Sequence, residues 1–151
     1  MIQDVSRYYE FVPFCTSSRI LSSEVVQAKY DPLYTESGST FYAEMAAGFY
    51  KLTDSYVSKV TVCHLKSIEA EAVDTAMFRY LRTKWSFQDL GSGKCRIEFF
   101  IEFEFMSHIY AYMANFAFLE LAKATIRAFE NRCTELLADE NCNYYTNWIY
   151  L

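Results

Sequence analysis

The chain has 151 residues, of which 52% are hydrophobic and 19% aromatic, and its formal net charge is -5 at pH 7. A single domain of this length buries about 68–70% of the surface that its unfolded chain exposes. The acidic balance excludes the positive field that nucleic-acid phosphates require, so no nucleic-acid partner is expected. The high content of Tyr and Phe favours either an aromatic core or an interior lined for a bulky apolar ligand.

The first part of the chain predicts a short helix, a strand and a loop. Residues 1–9 have the composition of the end of a helix, and Pro13 terminates it. Residues 15–30 carry a strand pattern, because β-branched residues stand among serines. Residues 31–39 (DPLYTESGS) are typical of a turn-rich loop.

Alternation of apolar and polar residues predicts five further strands, each with one buried and one solvated face. Residues 89–93 contain Gly-Ser-Gly and join the last two strands as a hairpin. Pairing of their apolar faces brings Trp85 beside Phe99, while Arg82 and Lys84 approach glutamates of the last strand on the solvated face. The five segments are residues 41–50, 55–64, 67–74, 80–88 and 94–106.

A long helix is predicted over residues 107–132, which contain neither Pro nor Gly. A long strand followed by one terminal helix favours a curved antiparallel sheet that closes around the helix and leaves an apolar cavity. The stripe that is polar in the second half of the helix is apolar in the first half. This apolar stripe comprises Ile109, Tyr112, Met113 and Phe116. It could be buried under a loop or in a homo-oligomer, or it could contact lipid or line a pocket mouth; the sequence leaves these alternatives open.

Cysteine and histidine patterns give no catalytic or metal site. The five cysteines are an odd number without CxxC spacing, which favours a reducing compartment. His64 follows Cys63 within a predicted strand, so the two side chains point to opposite faces. His108 begins the helix, where a structural role is expected. No cofactor, metal or catalytic residue is therefore predicted, and neither a signal peptide nor a transmembrane helix is predicted.

Five sequence blocks in order resemble the coenzyme Q-binding proteins of the polyketide cyclase/START-like superfamily. The resemblance covers residues 5–133, most of the chain. The blocks are FVPFC (11–15), FYAEMAAGFYKLTDSYVSKVT (41–61), MFRYLRTKWSF (77–87), CRIEFFIEFEF (95–105) and AFENRC (128–133).

The resemblance implies an α+β helix-grip fold, with residues 1–138 as a START-like lipid-binding domain and residues 139–151 unassigned. It implies a non-enzymatic carrier or chaperone that binds ubiquinone and supports respiratory electron transport and coenzyme Q biosynthesis. It also implies the matrix side of the mitochondrial inner membrane, with peripheral membrane contact. The family begins with an additional strand, and its mitochondrial members with a transit peptide; both are expected to be missing here.

Candidate binding residues follow from the inward positions of the predicted strands and helix. A quinone head group needs a hydrogen-bond donor among apolar walls, and Tyr56, Trp85 and Thr125 are the candidates. Trp85 is favoured by its spacing in the family block, and its replacement by Ala is expected to lower bound quinone while the fold survives. The remaining ligand-binding candidates are Met45, Val60, Leu81, Phe87, Phe99, Ile101, Phe103, Phe118 and Leu121. The candidates for a pocket mouth or membrane contact are Phe11, Val12, Phe14, Ile109 and Met113.

Two alternative functions remain open at this point. A cyclase or aromatase of the same superfamily would need a polar, ionisable cavity, whereas the inward positions are mostly aromatic and aliphatic. A ribosome-associated, toxin-like interaction protein would be expected to carry a basic surface, which the acidic composition argues against.

Overall fold

The computed structural model describes residues 2, 4–30, 40–49, 52–92 and 94–137. A 3-10 helix, Val5–Glu10, precedes strand β1 and helix α1. Five strands and a long helix, α2, complete the described part of the chain. The bounds are β1 Cys15–Ile20, α1 Ser23–Lys29, β2 Thr40–Phe49, β3 Leu52–Cys63, β4 Ser67–Thr75, β5 Phe78–Gly91, β6 Lys94–Phe105 and α2 His108–Leu137.

One six-stranded antiparallel sheet has the order β1-β2-β3-β4-β5-β6, so every strand pairs with its neighbour in sequence. The sheet and terminal helix confirm the predicted α+β helix-grip fold, including all five alternating strands. Successive side chains of a strand point to opposite faces of a sheet. We call the face that carries Ala43 and Val60, against which the 3-10 helix packs Val5, the inner face.

The segment predicted as one strand over residues 15–30 is wrong in its second half, which forms α1. Ser22 has the extended backbone of an N-cap residue and Glu24 stands in the first turn, where an acidic residue complements the helix dipole. Val26 is fully buried whereas Val25 is 45% exposed, which is the burial of a helix with one packed face. Val26 contacts Tyr42 and Val57 on the outer face of the sheet.

The N-terminal helix also differs from its prediction, because residues 5–10 form a 3-10 helix rather than the end of an α-helix. Pro13 follows it in a turn, as expected. Its Val5 is 4% exposed and belongs to the core of the inner face. The predicted loop, residues 31–39, and the tail, residues 139–151, lie outside the described residues.

The β5–β6 hairpin has the predicted register. Trp85 pairs with Phe99, and the ladder continues to Gly91 and Lys94. Gly91 has a positive φ of 75°, which glycine adopts at little cost. The Asp89 carboxylate accepts a hydrogen bond from the Gly91 N–H at 2.8 Å. The turn is therefore shorter than the predicted loop, since pairing reaches into it.

Two cations of β5 form ion pairs on the outer face of the sheet. The Arg82 guanidinium lies 3.0 Å from Glu71 and the Lys84 ammonium lies 2.6 Å from Glu69, both on β4. The register places Arg82 opposite Glu102 of β6, as predicted, and the ion pairs themselves are made with the carboxylates of β4. All four side chains are about half exposed, so the pairs mark a solvated face and add little stability.

Candidate functional site

Aromatic side chains divide the inner face into two parts. The first, which we call the packed cluster, comprises Tyr8, Phe11, Trp85, Phe99 and Phe129. The Trp85 ring centroid lies 4.4 Å from that of Phe99 and 4.8 Å from that of Phe129 on α2. Trp85 is 6% exposed and Phe129 4%. This part of the interior is therefore filled with side chains.

The 3-10 helix and the FVPF segment close the packed cluster from the N-terminal side. The Phe11 ring lies 5.1 Å from Phe129, edge to face, and Val12 packs against the same cluster. Arg132 lies over the Phe11 ring and 3.3 Å from the Glu10 carboxylate. Phe11 and Val12 are thus partly buried against the packed cluster, and their place at a pocket mouth or membrane contact stays a prediction.

The second part, which we call the aromatic wall, comprises Tyr56, Phe78, Phe103 and Phe105. These side chains are half-buried. The Phe78 ring lies 5.9 Å from Tyr56, 6.2 Å from Phe103 and 5.0 Å from Phe105. α2 begins at His108, three positions after Phe105, and reaches Trp85 through Phe129. The helix therefore runs from the aromatic wall to the packed cluster.

Tyr56 supplies a hydroxyl beside the aromatic wall. In the described part of the chain its partner is the Met45 Sδ, 4.0 Å away, and sulfur is a weak acceptor. Burial raises the pKa of the Tyr56 hydroxyl, because a phenolate would be poorly solvated there. The group therefore remains a neutral hydrogen-bond donor at physiological pH.

The other donor candidates occupy different settings. Trp85 lies inside the packed cluster, and Thr125 is half-buried on α2 beside the buried Ile126. The Tyr8 hydroxyl donates to the Ile2 carbonyl, and burial raises its pKa also. Of the three predicted donors, Tyr56 is the one that belongs to the aromatic wall.

The predicted strand positions all lie on the inner face. Val60 and Leu81 are buried, and the others apart from Trp85 are half-buried. The side chains of Phe118, Leu121, Ile109 and Met113 lie outside the described ones. Phe14 is 45% exposed with a φ of 64°. The half-buried set is Met45, Tyr56, Phe87, Phe99, Ile101 and Phe103.

Sequence reasoning missed four aromatic residues of the site: Phe78, Phe105, Tyr8 and Phe129. Phe78 and Phe105 face each other across the first pair of the β5–β6 ladder. The strand predicted over residues 94–106 already contains Phe105, and extending the strand predicted over 80–88 by two residues would have found Phe78 opposite it. Tyr8 and Phe129 meet only in the folded chain, 121 positions apart, with ring centroids separated by 5.2 Å, and no local pattern indicates such a contact.

A groove of about 320 Å³ lies on the outer face of the sheet. Two ion pairs, Lys84 with Glu69 and Arg82 with Glu71, form part of its lining. Such a surface suits water and polar groups better than an isoprenoid chain. Phe100, 42% exposed, is its large apolar residue.

Among the residues that the structure describes, groups suited to metal binding or catalysis are few. No cluster of three or more His, Cys, Asp or Glu side chains suited to a metal ion occurs among the described residues. His64 is exposed in the turn after β3, so it lies outside the strand predicted for it. Asp54 brings a carboxylate to the margin of the inner face, where it accepts from the Ser55 N–H at 2.8 Å. Within the described residues, no helix combines the length and apolar character of a membrane span.

Residues 1–130 match the protein family described as polyketide cyclase / dehydrase and lipid transport. The chain belongs to this family. Its fold, a curved antiparallel sheet with a terminal helix, is also that of the Zhui aromatase/cyclase from a Streptomyces species. The two structures superpose with a TM-score of 0.62 at 10% sequence identity, over 84% of this chain and 78% of that one. At that identity the likeness concerns the fold alone.

Within the family the chain is similar to coenzyme Q-binding proteins. It is 32% identical over 135 residues to a protein of Xenopus laevis named coenzyme Q-binding protein COQ10 homolog B, mitochondrial, covering 87% of this chain and 50% of that protein. It is 31% identical over 131 residues to the mitochondrial coenzyme Q-binding protein of Schizosaccharomyces pombe, covering 85% and 73%. The chain thus spans half the length of the frog relative.

A bacterial relative carries a different name. The Escherichia coli K12 protein named ribosome association toxin RatA is 29% identical to the chain over 136 residues, which cover 90% of this chain and 77% of that protein. The family thus includes relatives named for quinone binding and for ribosome association. The geometry of the candidate site is therefore needed to choose between quinone binding and ribosome association for this chain.

Proposed function

We propose that the chain binds an isoprenoid quinone of the coenzyme Q type between the inner face and α2, and carries it without chemical change. The aromatic wall is the observation that carries the proposal. Its half-buried rings present flat apolar surface, and a hydroxyl donor stands beside them. A quinone head group combines a flat ring with two carbonyl acceptors, and both features match this surface.

The isoprenoid tail needs apolar contact and no specific bonds. Each 100 Å² of apolar surface removed from water contributes about 2.5 kcal/mol. Half-buried apolar side chains continue from the aromatic wall along the inner face. Ile101 lies beside Phe103 on that face of β6, and Ala70 lies on β4. The packed cluster would then set the inner limit of the ligand, so Trp85 would act as the end of the site rather than as the head-group donor.

The cellular role proposed here follows from the relatives. The frog and yeast proteins are named mitochondrial and coenzyme Q-binding. We extend this to support of respiratory electron transport and of coenzyme Q biosynthesis, at the matrix side of the inner membrane. Peripheral membrane contact through Phe14, which is exposed in the turn before β1, belongs to the same proposal.

A direct test is extraction of the purified protein with organic solvent, followed by mass spectrometry of the extract. We expect a prenylated quinone in a molar amount comparable to the protein. A lysate protein of similar size, purified through the same steps, controls for lipid carried over from membranes. An extract with no more quinone than this control would refute the binding proposal.

Two other functions predict different results. A cyclase would convert an added polyketide-type substrate, whereas the proposed carrier returns its ligand unchanged. A ribosome-binding protein would co-sediment with ribosomal subunits in a salt-dependent way, because such binding rests on phosphate contacts. The net charge of -5 disfavours this second outcome.

A further inference from the structure

The two strands at the edges of the described sheet, β1 and β6, differ in length and regularity. β1 has six residues, and its register with β2 shifts between Cys15 and Ser17. Shortness and irregular pairing commonly protect an edge strand from pairing with another chain. β6 has twelve residues, and every one of them is paired with β5. β6 therefore lacks the protections that β1 has.

The burial of side chains along β6 matches that of a strand with one open side. On the neighbouring strand β5, Leu81 and Trp85 of the inner face are buried. Every inner-face residue of β6 is only half-buried, although the row is apolar throughout. The row comprises Cys95, Ile97, Phe99, Ile101, Phe103 and Phe105. Further apolar surface on this row would be covered if another strand were added beside β6.

The outer face of β6 carries its charges in two blocks. Lys94 and Arg96 stand at the start of the strand, and Glu98, Glu102 and Glu104 follow. When two copies of such a strand run antiparallel, the cationic block of each copy meets the anionic block of the other. Opposite charges that face each other across a strand pair are favourable, and like charges are unfavourable. The order of charges thus makes β6 complementary to itself.

One register of this self-pairing gives both cations a carboxylate. If Phe99 lies opposite the second copy's Phe99 on a twofold axis, Lys94 faces the second copy's Glu104 and Arg96 faces its Glu102. Each pair then occurs twice, because a twofold axis repeats every contact. A shift by two residues in either direction keeps the inner faces together but sets glutamates opposite each other. The register centred on Phe99 is therefore the favoured one.

The ion pairs within one copy are compatible with this arrangement. The cross-strand neighbour of Glu102 is Arg82, whose guanidinium lies 3.0 Å from Glu71 of β4. The Arg96 guanidinium donates to the neutral side chain of Gln88 at 3.4 Å. Because the Glu102 side chain is exposed, its carboxylate can reach an arginine of an added strand.

We propose that β6 is an interaction surface for a second copy of this chain, bound through antiparallel pairing of the two β6 strands across a twofold axis at Phe99. The two sheets then continue as one sheet of twelve strands. Backbone hydrogen bonds along the strands supply the affinity, as in other cases where a strand is added to a sheet edge. The charged pairs fix the register and the partner. This proposal is independent of the proposed quinone binding.

Charge reversal at the two facing positions tests the proposal on the full chain. Arg96→Glu sets a glutamate opposite Glu102 twice in the dimer, and Glu102→Arg sets an arginine opposite Arg96 twice. We expect the natural chain to sediment as a concentration-dependent dimer in analytical ultracentrifugation. Each variant should raise the dissociation constant of the dimer about tenfold or more. The two substitutions change the net charge in opposite directions, so a net-charge effect would not weaken both dimers.

Lys66→Glu is the control, because Lys66 is exposed in the turn between β3 and β4 and its reversal changes the net charge as Arg96→Glu does. This variant should keep the dissociation constant of the natural dimer within about twofold. Thermal unfolding of all the variants establishes that each is folded under the conditions of the measurement.

Mixing the two charge-reversed variants tests the register itself. In a heterodimer of Arg96→Glu with Glu102→Arg, every facing pair again has opposite charges. Native mass spectrometry, which separates the two variants by mass, should therefore show a heterodimer that outnumbers both homodimers.

Three results would overturn the proposal. The first is a natural chain that stays monomeric at every concentration, including one whose β6 amides resist hydrogen exchange because another segment of the same chain covers the edge. The second is a dimer that neither charge reversal weakens, since the two copies would then meet through another surface. The third is a mixture of the two variants without an excess of heterodimer, which would contradict the register centred on Phe99.

Discussion

Truncation of Trp85 to alanine removes the side chain that joins β5, β6 and α2. The indole is 6% exposed, and its ring lies 4.4 Å from Phe99 and 4.8 Å from Phe129. Replacing a buried aromatic residue by alanine costs about 3–5 kcal/mol, a large part of the 5–15 kcal/mol that typically separates native from unfolded states. At about 2–4 °C per kcal/mol for a chain of this size, we expect the Tm to fall by about 6–20 °C.

Urea unfolding followed by far-UV circular dichroism measures this loss. Phe100→Ala is the matched control, because Phe100 neighbours Phe99 on β6 but is 42% exposed on the outer face. Its free energy of unfolding should fall by less than about 1 kcal/mol. A Trp85→Ala loss no larger than that of the control would refute the packing argument. The same measurement tests the expectation that Trp85→Ala keeps its fold, and Trp85→Phe is the more conservative probe of ligand binding.

Three further substitutions test other parts of the structure. The Arg7 guanidinium lowers the pKa of the Glu10 carboxyl below its ordinary 4.5. The stability that Glu10 adds is therefore present above about pH 4.5 and is lost as the pH falls through the lowered pKa. Glu10→Gln should remove this pH-dependent part of the stability in acid titrations followed by circular dichroism. Val26→Ala should cost about 1–3 kcal/mol in urea unfolding, because Val26 is fully buried, whereas an unchanged value would contradict the packing of α1. Phe103→Ala should weaken decylubiquinone binding severalfold in fluorescence titrations by removing a ring of the aromatic wall, and unaltered affinity would place the ligand elsewhere.

The strands and their faces could be predicted because their causes are local. The alternation in β6 allows only one assignment of Phe99 and Phe103 to the buried face, and a short hairpin fixes the register with β5. The same reasoning failed over α1, where Val25 and Val26 resemble part of a strand. A helix forms there because only Val26 finds apolar partners, Tyr42 and Val57, and both come from later strands.

The residues of the aromatic wall could be predicted from the sequence, whereas the packing of Trp85 and Phe11 beside it could not. Inward positions such as Tyr56 and Phe103 follow from strand period alone. The role assigned to Trp85 rested on spacing within a family block, whereas its burial depends on Phe129, 44 positions later in the chain. The burial of Phe11 could not be predicted for the same reason, because its contacts with Phe129 and Arg132 form only when distant parts of the chain come together.

The short connection between β6 and α2 restricts how a guest molecule can enter. Only Met106 and Ser107 separate strand from helix, and the Met106 N–H donates to the Met77 carbonyl at 2.9 Å. This hydrogen bond ties the connection just before the helix to the β4–β5 turn, so the two cannot separate without breaking it. A long prenyl chain that entered between the start of the helix and the β4–β5 turn would therefore have to break this hydrogen bond first.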